Sequence, residues 1–210
     1  MGYRTGRSAV IIAYGREGYK LPRRFFQPGG ECTFLEYVLD AVWTIADEIH
    51  VVFQNEPNLK LVEAISPFGV KIIIEGQPKN LVSNILTGIK VSKSDCCLIT
   101  RENTPFLKPD VLNMLFESIQ KNDAVVPRWP DGSIEPMLAV YRRKSFLGAT
   151  LEKTDTKDIT NIVEDLYSVK FLDIATEIKA VDPELESFFS VNSDKDFQRA
   201  REITLKSRDK

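Results

Sequence analysis

In Asp95-Cys96-Cys97-Leu98-Ile99-Thr100-Arg101-Glu102-Asn103-Thr104-Pro105-Phe106-Leu107 an apolar run, Cys96 to Ile99, ends abruptly in five polar residues. The apolar run from Cys96 to Ile99 reads as a strand buried on both faces. The polar residues after it then stand at the carboxyl edge of a sheet, where open α/β folds bind ligands. A reaction centre is expected here first. An ordinary strand-to-helix turn capped by Asn103 or Thr104 would use the same residue types.

Outward from this stretch, the chain alternates between two kinds of segment. Residues 9–13 (Ala-Val-Ile-Ile-Ala) form a second short apolar run rich in β-branched residues, as buried parallel strands are. Further strands are expected over 48–53, 70–74, 124–127, 136–141 and 169–173. Helical spacing predicts helices over 34–46, 59–65, 80–91, 109–120, 144–151, 159–167 and 194–206. Thr33 and Ser193 are placed to cap the first and last of these. Trp43 is read as core and His50 as the junction of a helix and a strand. Arg142-Arg143-Lys144 is read as a solvated helix start. The pattern predicts one domain over residues 1–210, with a mostly parallel sheet between two helical layers. Residues 136–141 follow 124–127 after a short turn, so one antiparallel strand is expected among the parallel ones.

The bulk numbers exclude several classes. The chain has 210 residues, a net charge of -2, 43% hydrophobic and 28% charged residues, which is ordinary for a globular protein. No general affinity for nucleic acid follows from such a charge. Apolar runs fall far short of the ~20 residues that cross a bilayer. Three cysteines, two of them adjacent in an apolar run, give neither a disulfide framework nor metal-ligand spacing. A single histidine argues against a His-based triad or a His-rich metal site. A cytoplasmic location is expected. The oligomeric state is open.

Residues 14–30 read as a loop with Gly15, Gly18, Gly29 and Gly30 and the cations Arg16, Lys20, Arg23 and Arg24. Glycines admit a ligand close to the backbone, and cations neutralise phosphate. Such a loop suits a nucleoside triphosphate, although it is neither a Walker loop nor a clean Gly-x-Gly-x-x-Gly. A basic surface loop is the plain alternative. Glu75, Asp95, Glu102 and Asn103 offer oxygen ligands of the kind Mg²⁺ prefers. Trp129 is a candidate stacking surface for an acceptor, or an ordinary loop residue.

Several segments in order resemble the molybdenum cofactor guanylyltransferase family (the MobA type), within the Rossmann-like sugar-nucleotide transferases. Val10 to Gly15 is similar to its strand and Ala-Gly-Gly loop. Gly30 to Leu39 is similar to its Gly-Lys-Pro-Leu-Leu segment. Ile99 to Leu107 resembles its strand ending in Cys-Asp-Met-Pro-Phe-Leu. Ile134-Glu135-Pro136-Met137-Leu138-Ala139-Val140-Tyr141 resembles its Pro-Leu-x-Ala-x-Tyr strand. Phe188 to Phe197 is similar to its Phe-x-Asn-x-Asn-Thr-Pro-Glu-Asp-Leu motif. The likeness spans about residues 8–203.

That resemblance implies a three-layer Rossmann-like fold of the nucleotide-diphospho-sugar-transferase type. It implies transfer of GMP from GTP to molybdopterin, or to another phosphorylated acceptor, with Mg²⁺ and release of pyrophosphate. It leaves room for protein partners in cofactor delivery. Ala13, Tyr14 and Gly15 would cradle the nucleotide by position, with Asn55 and Glu75 completing its site, and the loop cations Arg16 and Arg23 would join them on the triphosphate. Arg24, Lys20 and Asn103 would act at the reacting phosphates, and Asn103, Glu102 and Asn192 would hold the metal. This sequence also departs from the pattern. Tyr14 replaces a loop glycine, and Asn103 stands where the family has its metal-binding aspartate. Two functions therefore stand side by side: an active nucleotidyltransferase, or a weak or silent nucleotide- or pterin-binding accessory of the same fold.

Overall fold

Strand β1 (Arg7–Ala13) lies inside a seven-stranded sheet in a computed structural model of the chain. Residues 6–14, 19–22, 30–76, 80–151 and 158–206 are described. β1 pairs in parallel with β4 (Glu48–Phe53) and β6 (Cys96–Arg101). β5 (Lys71–Ile74) adds in parallel to β4 at one edge. Beyond β6, β8 (Ala139–Arg142) runs antiparallel to both β6 and β7 (Ala124–Arg128). β9 (Val169–Asp173) closes the other edge, parallel to β7. The order is β5-β4-β1-β6-β8-β7-β9. The expected mostly parallel sheet with one antiparallel strand is therefore what the chain forms.

Two helical layers cover it. Helices α1 (Phe34–Trp43), α2 (Leu59–Ile65) and α4 (Pro109–Ser118) bury Val38, Val42, Ile65, Leu112 and Leu115 against Ile11, Val51 and Leu98. Helices α3 (Leu81–Val91), α5 (Arg143–Leu151) and α6 (Ile159–Asp165) bury Ile85, Ile89, Phe146 and Ile162 against Val10, Val52, Cys97 and Ile99. Alternate strand residues thus feed opposite cores, as the pleat requires. Each fully buried Leu or Ile contributes about 1.5–3 kcal/mol.

Local chemistry fixes the helix starts. Thr33 Oγ1 accepts from the Glu36 N–H at 3.3 Å, and Glu36 Oε2 accepts from the Thr33 N–H at 2.7 Å, a capping box. Asn80 and Ser83 make the equivalent pair at α3. Ser193 Oγ accepts from the Asp196 N–H at the head of α7 (Asp194–Lys206).

The structure corrects five local readings. The stretch read as a plain loop contains β2 (Lys20–Pro22), which pairs antiparallel with β3 (Glu31–Thr33). That hairpin packs with α7 in a third apolar cluster around Leu21, Phe34, Phe106 and Val191. Trp43 is 57% exposed because α1 turns its other face to the sheet; its ring meets Phe68 edge-on. His50 lies within β4 and is buried. Arg142 and Arg143 are not merely solvated: Arg142 Nε donates to the Asn122 carbonyl, and Arg143 Nε and Nη2 donate to the Ile89 and Lys90 carbonyls, closing the last turn of α3. Pro136 to Leu138 form a turn, and the strand starts at Ala139. Among the described residues no helix is long and apolar enough to cross a membrane.

A candidate nucleotide and metal site at the strand carboxyl ends

β6 delivers its polar tail to the carboxyl edge in a locked turn. The Glu102 N–H donates to the Ile12 carbonyl at 3.0 Å, carrying the ladder one residue past the strand. Thr104 Oγ1 donates to the Arg101 carbonyl at 2.8 Å and stands 3.5 Å from Thr100 Oγ1. The residues that were possible caps of α4 thus serve this turn instead. α4 begins after Lys108, which makes no side-chain cap.

Glu102 and Asn103 part company in the turn. Glu102 is 3% exposed, and its Oε1 accepts from the Tyr14 N–H at 2.7 Å. It therefore ties β6 to the start of the loop after β1. Asn103 faces the C-terminal segment. Its carbonyl accepts from the Val191 N–H at 2.8 Å, and its Nδ2 donates to Asn192 Oδ1 at 2.8 Å. The Asn103 side-chain oxygen is buried with no hydrogen-bond partner. The Ser193 hydroxyl and the Asn192 and Ser193 N–H groups all donate to Asp196. These donors hold the Asp196 carboxyl below its usual range, led by the Ser193 hydroxyl. They also fix the bend that presents Asn192.

Aromatic packing sets this arrangement under the rim. Phe106 packs between Tyr37 and Phe189, at centroid distances of 6.4 and 5.9 Å. Tyr19 lies against Phe34 and Phe197, and its hydroxyl donates to Asp194. The β2–β3 hairpin, the head of α7 and the tail of β6 are thereby held together.

The other expected site residues fall as follows. Ala13 is buried at the end of β1, and Tyr14 is 39% exposed beyond it. Asn55 is exposed just past β4, and Glu75 is half-buried past β5, its N–H donating to the Phe53 carbonyl. At ~4.8 Å between strands these lie roughly 10 and 14 Å along the rim from β6. Lys20 is exposed on β2. Gly15, Arg16, Arg23 and Arg24 lie outside the described residues. Trp129 packs edge-on to Phe188, and its indole N–H donates to Glu135 at 2.8 Å.

Two polar groups that the sequence reading passed over have orphaned buried atoms: Arg101 Nε and Asn84 Oδ1. An arginine ending an otherwise buried strand was the available signal.

A divalent ion needs oxygen ligands, and Mg²⁺ takes few of them from protein when phosphates supply the rest. Asn103 and Asn192 present two amide oxygens at the head of the C-terminal segment, one with its lone pairs unused. That donor pair fits such an ion chemically but brings no charge. Among the described residues no cluster of three His, Cys, Asp or Glu side chains is placed to hold a metal.

The family model described as a MobA-like NTP transferase domain matches residues 18–169. The chain belongs to the MobA-like NTP transferase family. A probable molybdenum cofactor guanylyltransferase of Methanosarcina acetivorans is 27% identical over 209 residues, covering 94% of this chain and 91% of that protein. Two solved structures share the fold. Molybdopterin-guanine dinucleotide biosynthesis protein A from Archaeoglobus fulgidus has a TM-score of 0.67 at 22% identity, covering 94% of this chain and 99% of that one. The 4-diphosphocytidyl-2C-methyl-D-erythritol synthase from Anaerococcus prevotii has a TM-score of 0.71 at 16% identity, covering 96% of each. As a member of the MobA-like family the chain is a nucleotidyltransferase.

Proposed function

We propose that the protein transfers GMP from GTP to molybdopterin, with Mg²⁺, and releases pyrophosphate. The observation that carries this reading is the meeting of Asn103 with Asn192 beside the Glu102–Tyr14 tie. These contacts bring three distant chain segments to one edge of the sheet. The guanylyltransferase names of the relatives favour guanine and a molybdopterin acceptor.

In this reading an oxygen of the acceptor phosphate attacks the α-phosphorus of GTP. The bond between that phosphorus and the bridging oxygen to the β-phosphate breaks, and pyrophosphate leaves with the electron pair. No protein nucleophile is needed, since positioning and charge neutralisation carry phosphoryl transfer. Tyr14, held by Glu102, sets the start of the loop that would approach the triphosphate. Arg16, Lys20, Arg23 and Arg24 would neutralise it, and Asn55 and Glu75 would contact the nucleoside. Asn103 and Asn192 would hold Mg²⁺, which when bound neutralises charge on the reacting phosphates. Glu102 is better placed to position the loop than to bind the ion. The reading also places the protein in the cytoplasm, where GTP is available.

The uncharged Asn103–Asn192 pair favours one second reading, a nucleotide-binding accessory that does not turn over. Thermal shift with Mg²⁺ and GTP, CTP, ATP or UTP, followed by pyrophosphate release with molybdopterin, separates the two. A ligand at 100 times its Kd should stabilise by about 2.7 kcal/mol. Stabilisation by GTP together with acceptor-dependent pyrophosphate release is the expected result. No shift with any nucleotide would refute transfer, and a shift without release would select the accessory.

A further inference from the structure

Among the described residues, Arg101 has no counter-ion. It is the last residue of β6 and pairs in register with Ile12 of β1. Strand alternation puts its side chain on the face of Cys97 and Ile99, the face covered by α3, α5 and α6. Its Nε is shut off from solvent with no hydrogen-bond partner. Among the described residues no carboxylate or carbonyl meets its guanidinium. Other arginines do find partners: Arg7 reaches Asn113 and Glu117, and Arg142 and Arg143 reach backbone carbonyls. Arginine stays charged at any pH a protein meets, and a partly buried, unmatched charge is costly until an anion offsets it.

The surroundings say where that anion comes from. β6 is flanked on one side by β1, whose end carries Tyr14. On its other side lies β8, where Ala139 pairs with Ile99 and the turn at Met137 and Leu138 reaches the same edge. Arg101 thus stands between the strand that leads into the glycine-rich loop and the strand on the far side of the rim, two residues before Asn103. A second unmatched group lies on this face. Gly88 of α3 sits against Val10 and Val52, and Asn84, one helical turn nearer the rim, is buried with its Oδ1 unpaired.

We propose that Arg101 binds a phosphoryl group of a substrate at this edge, setting a positive charge against the phosphate oxygens. This rests on the nucleotidyl-transfer reading. The phosphoryl group belongs either to the nucleotide or to the acceptor. The guanidinium recognises both by the same chemistry, through paired N–H donors to phosphate oxygens.

The test compares wild type with Arg101→Met, which keeps an apolar stem, and Arg101→Lys, which keeps the charge. The readouts are the ligand-free melting temperature, calorimetric titration with Mg²⁺-GTP and with inorganic pyrophosphate, and KM for molybdopterin. Arg101→Met should leave the ligand-free melting temperature level or raised, because the lost charge had no partner. It should weaken binding of a phosphate-bearing probe about tenfold or more, with Arg101→Lys recovering part of the loss. Weakened GTP and pyrophosphate binding assigns the nucleotide; unchanged GTP binding with a raised molybdopterin KM assigns the acceptor. Affinities and KM all within twofold of wild type overturn the proposal. If wild type transfers GMP and Arg101→Met does so equally well, the transferase reading stands and this site falls. If wild type transfers nothing yet binds pyrophosphate through Arg101, the site stands and the transferase reading falls.

Discussion

Asn103 Nδ2 donates to Asn192 Oδ1 at 2.8 Å, which leaves the Asn103 oxygen buried and unpaired. An unmatched buried acceptor costs about 1–3 kcal/mol, and a cation beside it relieves that cost. The pair links residues 89 positions apart, so it also ties the tail of β6 to the entry of α7.

Asn103→Asp tests whether this is the metal site. The substitution adds a full charge, and the Asn192 amide can turn to donate to the new carboxylate. A Mg²⁺ titration of pyrophosphate release should show half-saturation at about tenfold lower metal, equal to ~1.4 kcal/mol. An unchanged titration curve would place the ion elsewhere.

Glu102 separates positioning from ligation. Glu102→Gln keeps an oxygen for the Tyr14 N–H but removes the charge. It should leave the Mg²⁺ dependence within about threefold of wild type, because the tie is a hydrogen bond. Glu102→Ala orphans the Tyr14 N–H and should raise KM for GTP about tenfold. A Mg²⁺ requirement that rises strongly in Glu102→Gln would make this carboxylate a metal ligand instead.

The layers were legible because periodicity reports burial directly. The runs at 9–13 and 96–99 are apolar at every position since both sheet faces are covered. The turn after β6 was legible as a place, not as a geometry. Neighbouring residues there split between Tyr14 and Asn192, and those contacts lie far away in sequence. Trp43 misled because composition says that tryptophan is buried, whereas the helix face decides. Arg101 was passed over because one cation at a strand end is common. Only the lack of any partner for its Nε distinguishes it.

Gly88 lets α3 approach the sheet. A Cβ there would stand 2.3 Å from Val10 Cγ1 and 3.1 Å from Val52 Cγ2. Gly88→Ala gains roughly 1 kcal/mol of helix propensity. Pushing α3 off Val10 costs about 1–3 kcal/mol or more, so the variant should be destabilised overall. At about 2–4 °C per kcal/mol for a chain of this size, thermal unfolding should show a drop of a few degrees. A raised melting temperature would mean that the helix shifts freely.

His50 should make the protein acid-sensitive. It is 3% exposed in β4, and its Nε2 stands 3.4 Å from Glu48 Oε2 without hydrogen-bond geometry. Burial pushes its pKa below the ordinary value near 6.5, outweighing the nearby Glu48 charge, with Lys71 acting in the same direction as burial. The unfolded chain therefore takes up the proton first as pH falls. Stability is fully present above about pH 6.5 and is lost below it, by up to about 1.4 kcal/mol per pH unit until the folded protein is protonated too. Glu48 acts in a lower window. Burial raises its carboxyl, but hydrogen bonds from Ser94 and the Lys93 N–H outweigh this and lower it, so its contribution is lost only at more acid pH. Denaturant unfolding of wild type and His50→Val between pH 7.5 and about 5 should diverge below pH 6.5, with the variant flatter. Parallel curves would show that His50 is accommodated as the cation.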